Sequence, residues 1–385
     1  MNSVRLVPSD PRFQLSGRWE KSPAGSITAY WCGASISFIF QGPFLSVVTG
    51  THTERKNEYN GGTPMFVCSV IALSDYLSFR DASQSMTKHD AHGQENIVVY
   101  RRANVNDVQP MLIELTMIDW ASVLQIDAFM VRSSEDVLDI QDYGPRMDIL
   151  LIGDTVSCGY SDGSELVPYG CLSAFPFVCK RWLQHGASIR VSLDLVAYPG
   201  ITLVDMTPEE DGMPGVKSGM ATQFFCASII SSICTSPVTH HGHHPSVIII
   251  ALGSRDEAEY IQGERFSATM IAFIVRLVNA YASTVRHICI LYPFVDFTAS
   301  DLEADMMRIE HMIPDIVKEA QVALAGRVNV WATDIAESMN YDLTMDGLSP
   351  SIRGHEILGH ALAQALQPIR EQLAYSLPRR SDTLF

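Results

Sequence analysis

The chain has 385 residues, 47% of them hydrophobic and 18% charged, and a formal net charge of −16. That composition fills the cores of two domains and excludes a disordered chain, and an acidic balance without a Lys/Arg cluster argues against nucleic acid and anionic membrane surfaces as partners. No run of about 18 apolar residues offers a membrane span and the opening MNSVRLVPSDPRFQLSGRWE carries no apolar secretory core, so a cytoplasmic protein with reduced thiols is expected.

Residues 1–138 read as β structure. SITAYWCGASISFIFQGPFLSVVTG alternates apolar and polar residues and is punctuated by Gly33 and Gly42-Pro43. PMFVCSVIALSDYLSFR, NIVVYRRANV, MLIELTMI and VLQIDAFMVRS follow at short spacing. Short strands separated by turn signals predict a β-sandwich of the jelly-roll kind. SEDVLDIQDYGPR reads as the linker out of it.

Over residues 145–378 the pattern changes. MDILLIG is a continuous apolar run ending in Gly, the signature of a strand buried on both faces. LSAFPFVCKRWLQHG predicts a helix stopped at Gly186, and SLDLVAYPG, SVIIIALGS, HICILYPF and RVNVWATD predict further strands. Helices are expected over SATMIAFIVRLVNAYAS, DLEADMMRIEHMIPDIVKEAQVALA and the closing IRGHEILGHALAQALQPIREQLA. Strands alternating with helices make an α/β domain with a mostly parallel sheet, α/β/α in layers. Such sheets bind ligands at the carboxyl ends of their strands.

Four loops stand at those ends: IGDTVSCGY, AYPGIT, ALGSRDEAEY and DGLSPSIRGH. In order and spacing they resemble the blocks of the SGNH (GDSL-type) hydrolase superfamily, and with the β-rich opening the chain is similar to carbohydrate esterase family 2 and its fungal relatives. The resemblance implies a nucleophilic serine in Gly-Asp-Ser, where this chain has Gly153-Asp154-Thr155. It implies a backbone oxyanion donor at Gly200 and an Asn donor in Gly-x-Asn-Asp, where the chain has Gly253-Ser254-Arg255-Asp256. It implies a histidine base in Asp-x-x-His, where the chain has Asp346-Gly347-Leu348-Ser349.

These departures have chemical consequences. A hydroxyl nucleophile needs a base within hydrogen-bond reach, the Thr155 methyl crowds an attack, and Ser349 cannot take a proton as imidazole does. Arg255 brings a permanent guanidinium charge, which either binds an anion, enolate or carboxylate or plugs the site by pairing with Asp154, Asp256 or Asp346. Asp346, without a histidine, is a candidate acid or base. The candidate catalytic set is Thr155, Arg255, Asp346 and Ser349; Asp154, Gly200, Gly253 and Asp256 are candidate substrate binders. No cofactor and no metal are expected. A repurposed enzyme of secondary metabolism, acting on a small carbonyl-containing metabolite by cyclisation, isomerisation or elimination, fits this set. A residual hydrolase using Thr155 and a non-catalytic module binding sugar or protein are the alternatives.

Other reactive residues read as structural. Cys32, Cys68, Cys158, Cys171, Cys179, Cys226, Cys234 and Cys289 form neither a CxxC pair nor a zinc spacing, and behave as small apolar residues. Ser157 and Cys158 are expected on the helix side of their loop. His240, His241, His243 and His244 form a solvated loop before a strand, away from the catalytic edge. His355 and His360 are expected to pack. The stretches ERKNEYNGGTPMF and SDGSELVPYG read as surface loops or as a pocket wall and lid.

Overall fold

Alternating apolar residues give strands that pair antiparallel in two sheets. In one, Ser122–Val131 lies between Phe44–Thr49 and Ile27–Ala29. In the other, Met111–Met117 lies between Ser35–Phe40 and Phe66–Ala72, with Ile113 opposite Phe38 and Val70. Inward side chains of both sheets meet around Phe13, whose ring centroid is 4.9 Å from that of Phe38 and 4.7 Å from that of Phe129. This is the expected sandwich. The computed structural model describes residues 3–55, 65–77, 85–104, 109–139, 146–160, 167–185, 189–208, 217–226, 244–298 and 308–375. Gly186, Cys234, His240, His241, His243 and the segments 56–64 and 161–166 lie outside them.

The second domain is a five-stranded parallel sheet. Its strands are β1 (Arg146–Gly153), β2 (Arg190–Ala197), β3 (Val247–Ala251), β4 (His287–Leu291) and β5 (Asn329–Thr333), in the order β2-β1-β3-β4-β5. Helices α1 (Phe175–Gln184), α2 (Ser254–Ala258), α3 (Gly263–Ala280), α4 (Ile313–Ala323) and α5 (Ile352–Tyr375) accompany it. One apolar core joins α3 and α4 to the sheet through Phe266, Phe273, Ile313 and Ile316, and another joins α1 and α5 to it through Phe175, Leu183, Leu358 and Leu362. No described helix is long and apolar enough to cross a membrane.

Two boundaries differ from the sequence reading. PMFVCSVIALSDYLSFR is not one strand: pairing stops at Ala72, and Leu73–Leu77 turns helical with Asp75 in its first turn, where a carboxylate suits the exposed N–H groups. DLEADMMRIEHMIPDIVKEAQVALA is not one helix over its described part. A 3-10 turn, Ile309–Met312, precedes α4, which starts where Pro314 can sit because that position needs no N–H donor.

The domains share a core rather than a linker alone. Trp31 of the sandwich is buried in the same apolar core as Val196, Phe224 and Phe273 of the α/β domain, its ring centroid 6.5 Å from that of Tyr198. Gly33 has φ +83°, and a Cβ there would stand 2.9 Å from Leu195 Cβ on β2, so conformation and approach both require glycine. Asp194 on β2, buried, accepts hydrogen bonds from Ser16 Oγ at 2.5 Å and Gly17 N–H at 2.6 Å. Replacing it leaves two donors at a buried seam without their acceptor. Asp194→Ala is therefore expected to lower unfolding stability by about 3 kcal/mol, checked by chemical denaturation; a loss under about 0.5 kcal/mol, as at an ordinary surface position, would contradict the seam's importance.

Candidate active site at the strand ends

The candidate residues stand on loops leaving β1, β2, β3 and β5, all at the carboxyl edge. β1 ends at Gly153, and the turn that follows bends back so that Tyr160 N–H reaches the Thr155 carbonyl at 3.4 Å. Thr155 Oγ1 accepts a hydrogen bond from Gly200 N–H at 2.9 Å. Gly200 has φ +70°, and a Cβ built on it meets nothing within 4 Å, so the space beside its Cα is open. Among the described residues, no imidazole or carboxylate is hydrogen-bonded to Thr155 Oγ1. Ser157 and Cys158 are both buried, in line with the structural role read for them.

Asp154 is buried under the turn and accepts from Val156 N–H at 3.3 Å. Burial pushes its carboxyl up to about 7, with the Asp256 carboxylate adding to the rise against hydrogen bonds that lower it. Asp256, fully buried on α2, accepts from Leu203 N–H at 2.8 Å and Val204 N–H at 3.2 Å. Burial raises it as well, to about 6. Its carboxylate thus holds the loop that follows Gly200, which makes it a positioning group in this state.

Arg255 is placed otherwise than the sequence reading weighed. Its guanidinium pairs with Glu259 one turn along, rather than with Asp154, Asp256 or Asp346. An i,i+4 pair forms wherever a helix offers it, and α2 provides that spacing. The side chain remains 43% exposed, and its Nε is buried without a partner. The preceding Ser254 Oγ accepts from Phe294 N–H at 2.8 Å, tying the β3 loop to the β4 loop.

The fourth loop closes on itself. Asp346 Oδ1 accepts from Leu348 N–H at 2.8 Å and Ser349 N–H at 2.6 Å, and Oδ2 accepts from Ser349 Oγ–H at 3.1 Å. Phe297 N–H donates to the Gly347 carbonyl at 3.0 Å and braces this turn from the β4 loop. The structure therefore brings Thr155 to Gly200 and Asp346 to Ser349, and leaves Arg255 on Glu259. His355, at the start of α5, is fully buried; its Nδ1 accepts from Phe175 N–H at 3.3 Å at the head of α1, and burial lowers it to about 4. It packs, as expected; His360, also expected to pack, is exposed instead, its ring tilted against that of the exposed Trp182 at 4.5 Å between centroids.

No protein-family model matches the chain, and no curated protein matches it by sequence. Solved structures do. A family two carbohydrate esterase from Cellvibrio japonicus superposes with a TM-score of 0.69 at 18% identity, over 97% of this chain and 99% of that one. The chain has the fold of the family two carbohydrate esterases. An acetyl xylan esterase from the rumen bacterium Butyrivibrio proteoclasticus matches with a TM-score of 0.64 at 12% identity, covering 97% and 99%. A salicylyl-acyltransferase from a tetracycline biosynthetic pathway matches with a TM-score of 0.62 at 12% identity, covering 95% and 97%. At such identities the likeness is one of fold.

One feature of this edge escaped the sequence reading. Trp120, on the sandwich turn between its last two long strands, lies 5.7 Å from Tyr160 and 5.9 Å from Tyr198 between ring centroids. The two tyrosines belong to the loops that carry Thr155 and Gly200. Asp119, fully buried, accepts from Ala121 N–H at 3.1 Å and from the Ser122 hydroxyl, which fixes the turn presenting Trp120. A tryptophan in the turn IDWAS was the available signal, but its partners come from another domain.

Proposed function

We propose that this chain is an enzyme of the SGNH fold that has exchanged acyl-enzyme hydrolysis for a non-hydrolytic step on a small carbonyl-containing metabolite: a cyclisation, isomerisation or elimination. One observation carries the reading. The Thr155 hydroxyl rests on the Gly200 N–H, and no base is hydrogen-bonded to it among the described residues. A hydroxyl so placed donates or accepts a hydrogen bond well but is a poor nucleophile, because its own pKa lies far above neutrality.

The neighbouring groups suit enolate chemistry. Gly200 N–H and the Thr155 hydroxyl can both donate to a substrate oxygen on which negative charge develops. The Ser349 hydroxyl, already donating to Asp346, can accept a proton and pass its own to that carboxylate. Arg255 supplies a cation for a carboxylate-bearing substrate once its guanidinium swings from Glu259. The Trp120, Tyr160 and Tyr198 rings favour a flat apolar body on the substrate. No step calls for a cofactor.

Acyl chemistry through Thr155 is the second reading, favoured by the same 2.9 Å contact, since an acyl nucleophile also sits beside an oxyanion donor. A chromogenic acetyl ester separates the two. The wild type is expected to hydrolyse it at the rate of Thr155→Ala. Turnover that Thr155→Ala abolishes would replace the proposal with the second reading.

A further inference from the structure

Three neighbours on α2 fix the direction in which Arg255 projects. Ser254 Oγ accepts from Phe294 N–H of the β4 loop at 2.8 Å. The Asp256 carboxylate accepts from Leu203 N–H at 2.8 Å, on the loop that follows Gly200. Glu257 accepts from Ile309 N–H at 3.2 Å and lies 3.9 Å from Arg308. Successive residues of a helix are turned by about 100°, so Arg255 and Glu259 share the face between Ser254 and Asp256, opposite Glu257. That face stands between the β4 loop and the Gly200 loop. β1, which leads to Thr155, and β3, which leads into α2, are adjacent strands. The guanidinium on this face has one arm engaged. Nη2 meets Glu259 Oε1, while Nε is buried without a partner among the described residues. Asp154, Asp256 and Asp346 accept from backbone N–H groups instead. A carboxylate that approaches side-on takes Nε–H and one Nη–H as two parallel hydrogen bonds. Glu259, tethered one turn along the same helix, meets Nη2 and leaves the Nε donor unsatisfied, and a buried donor without an acceptor is costly.

We propose that Arg255 seats a substrate carboxylate side-on through Nε and Nη, and that Glu259 is a specificity-determining residue, an internal carboxylate that occupies the guanidinium until the substrate's displaces it. Adjacent parallel strands lie about 4.8 Å apart, so a carboxylate at the end of β3 stands close to an oxygen held at the Thr155–Gly200 contact at the end of β1. The substrate class is therefore a small keto acid, with its carboxylate near its carbonyl. A neutral ketone has nothing with which to displace Glu259 and gains nothing from Arg255. The inference rests on the proposed reading only in seating the substrate at this edge, and it holds whichever reaction Thr155 serves.

The test measures affinity without turnover, by ligand-observed NMR on the full chain. The probe is phenylglyoxylate, which joins a flat ring, a carbonyl and a carboxylate; acetophenone, with the ring and carbonyl alone, is the control. Glu259→Gln should bind phenylglyoxylate about 3- to 5-fold more tightly than the wild type, the range released by removing one half-exposed ion pair. Arg255→Gln should bind it about 10-fold more weakly. Arg255→Lys keeps the charge but lacks the fork, so it should lose nearly as much; it serves as the second variant if Arg255→Gln does not fold, which denaturant unfolding of each chain reports. Glu257→Gln makes the same charge change on the opposite face and should leave the affinity as it is. Acetophenone should bind all the chains alike. No binding to Glu259→Gln, a gain there no larger than in Glu257→Gln, a gain that persists when Arg255→Gln is added, or acetophenone following the same pattern would each overturn the proposal. Ester turnover through Thr155 would replace the proposed reaction and leave these affinities standing, so the two failures are told apart.

Discussion

A chain carrying Thr155→Ser, Arg255→Asn and Ser349→His together should hydrolyse a small acetyl ester about 1,000-fold faster than the wild type. In a working triad, loss of the nucleophile or the base alone costs about six orders of magnitude, and recovering half of that on an untuned site is a moderate demand. The scaffold meets its requirements. Removing the Thr155 methyl leaves an oxygen in place on Gly200 N–H. Position 349 is already held by its own N–H on Asp346 Oδ1 at 2.6 Å, so the turn would persist. Asp346 Oδ2, which now accepts from the Ser349 hydroxyl, is free in that variant to orient an imidazole N–H, as the acid of a triad does. Arg255→Asn removes a cation and an ion pair with Glu259, a change of small energetic weight at a half-exposed site. The three changes act as a unit, so each single variant should gain less than about 10-fold. Ester turnover in the folded triple variant no higher than in the singles would mean that these four loops do not converge on one substrate.

Much of this was legible in the residues, for reasons that differ by region. The parallel strands could be read because continuous runs such as MDILLIG have few other ways to bury every side chain. Loop order placed the candidate residues on one edge because strand ends in such a sheet share a direction. Helix starts were less legible. The chain turns at Leu73 and again before Pro314 for local reasons that hydrophobic periodicity does not report. Side-chain partners were the least legible. Arg255 chose Glu259, a neighbour offered by helical spacing, over three aspartates that the loop order made prominent. The meetings of Trp120 with Tyr160 and Tyr198 depend on how two domains dock, and no single-segment pattern encodes that.

Asp154→Asn should stabilise the protein by about 4 kcal/mol at pH 8 and by almost nothing at pH 4. Burial raises the Asp154 carboxyl from 3.8 to about 7, and a tenfold change in proton affinity between folded and unfolded chain is worth about 1.4 kcal/mol. For an acid raised by folding, the folded state binds the extra proton. Its stability is highest below pH 3.8, falls as pH climbs toward 7, and stays low above it. Asparagine keeps an acceptor for Val156 N–H and never ionises, so it removes that loss. Asp256, raised to about 6, titrates in the same sense. His355 works in the opposite direction. Burial holds it neutral in the fold down to about 4, whereas the unfolded chain takes up its proton near the ordinary imidazole value of 6.5, so its stability is full above 6.5 and is lost as pH falls through 4. That loss is about 3 kcal/mol, and His355→Gln should remove most of it while leaving the stability at pH 8 less affected. Denaturant unfolding of the three chains between pH 4 and pH 8 checks both limbs. A gain from Asp154→Asn that is equal at the two ends would show that Asp154 is not the group that charges at the expense of the fold. The carboxyl beside Thr155 would then be ionised throughout, and the proton inventory of the site would rest on Asp346 and Ser349 alone.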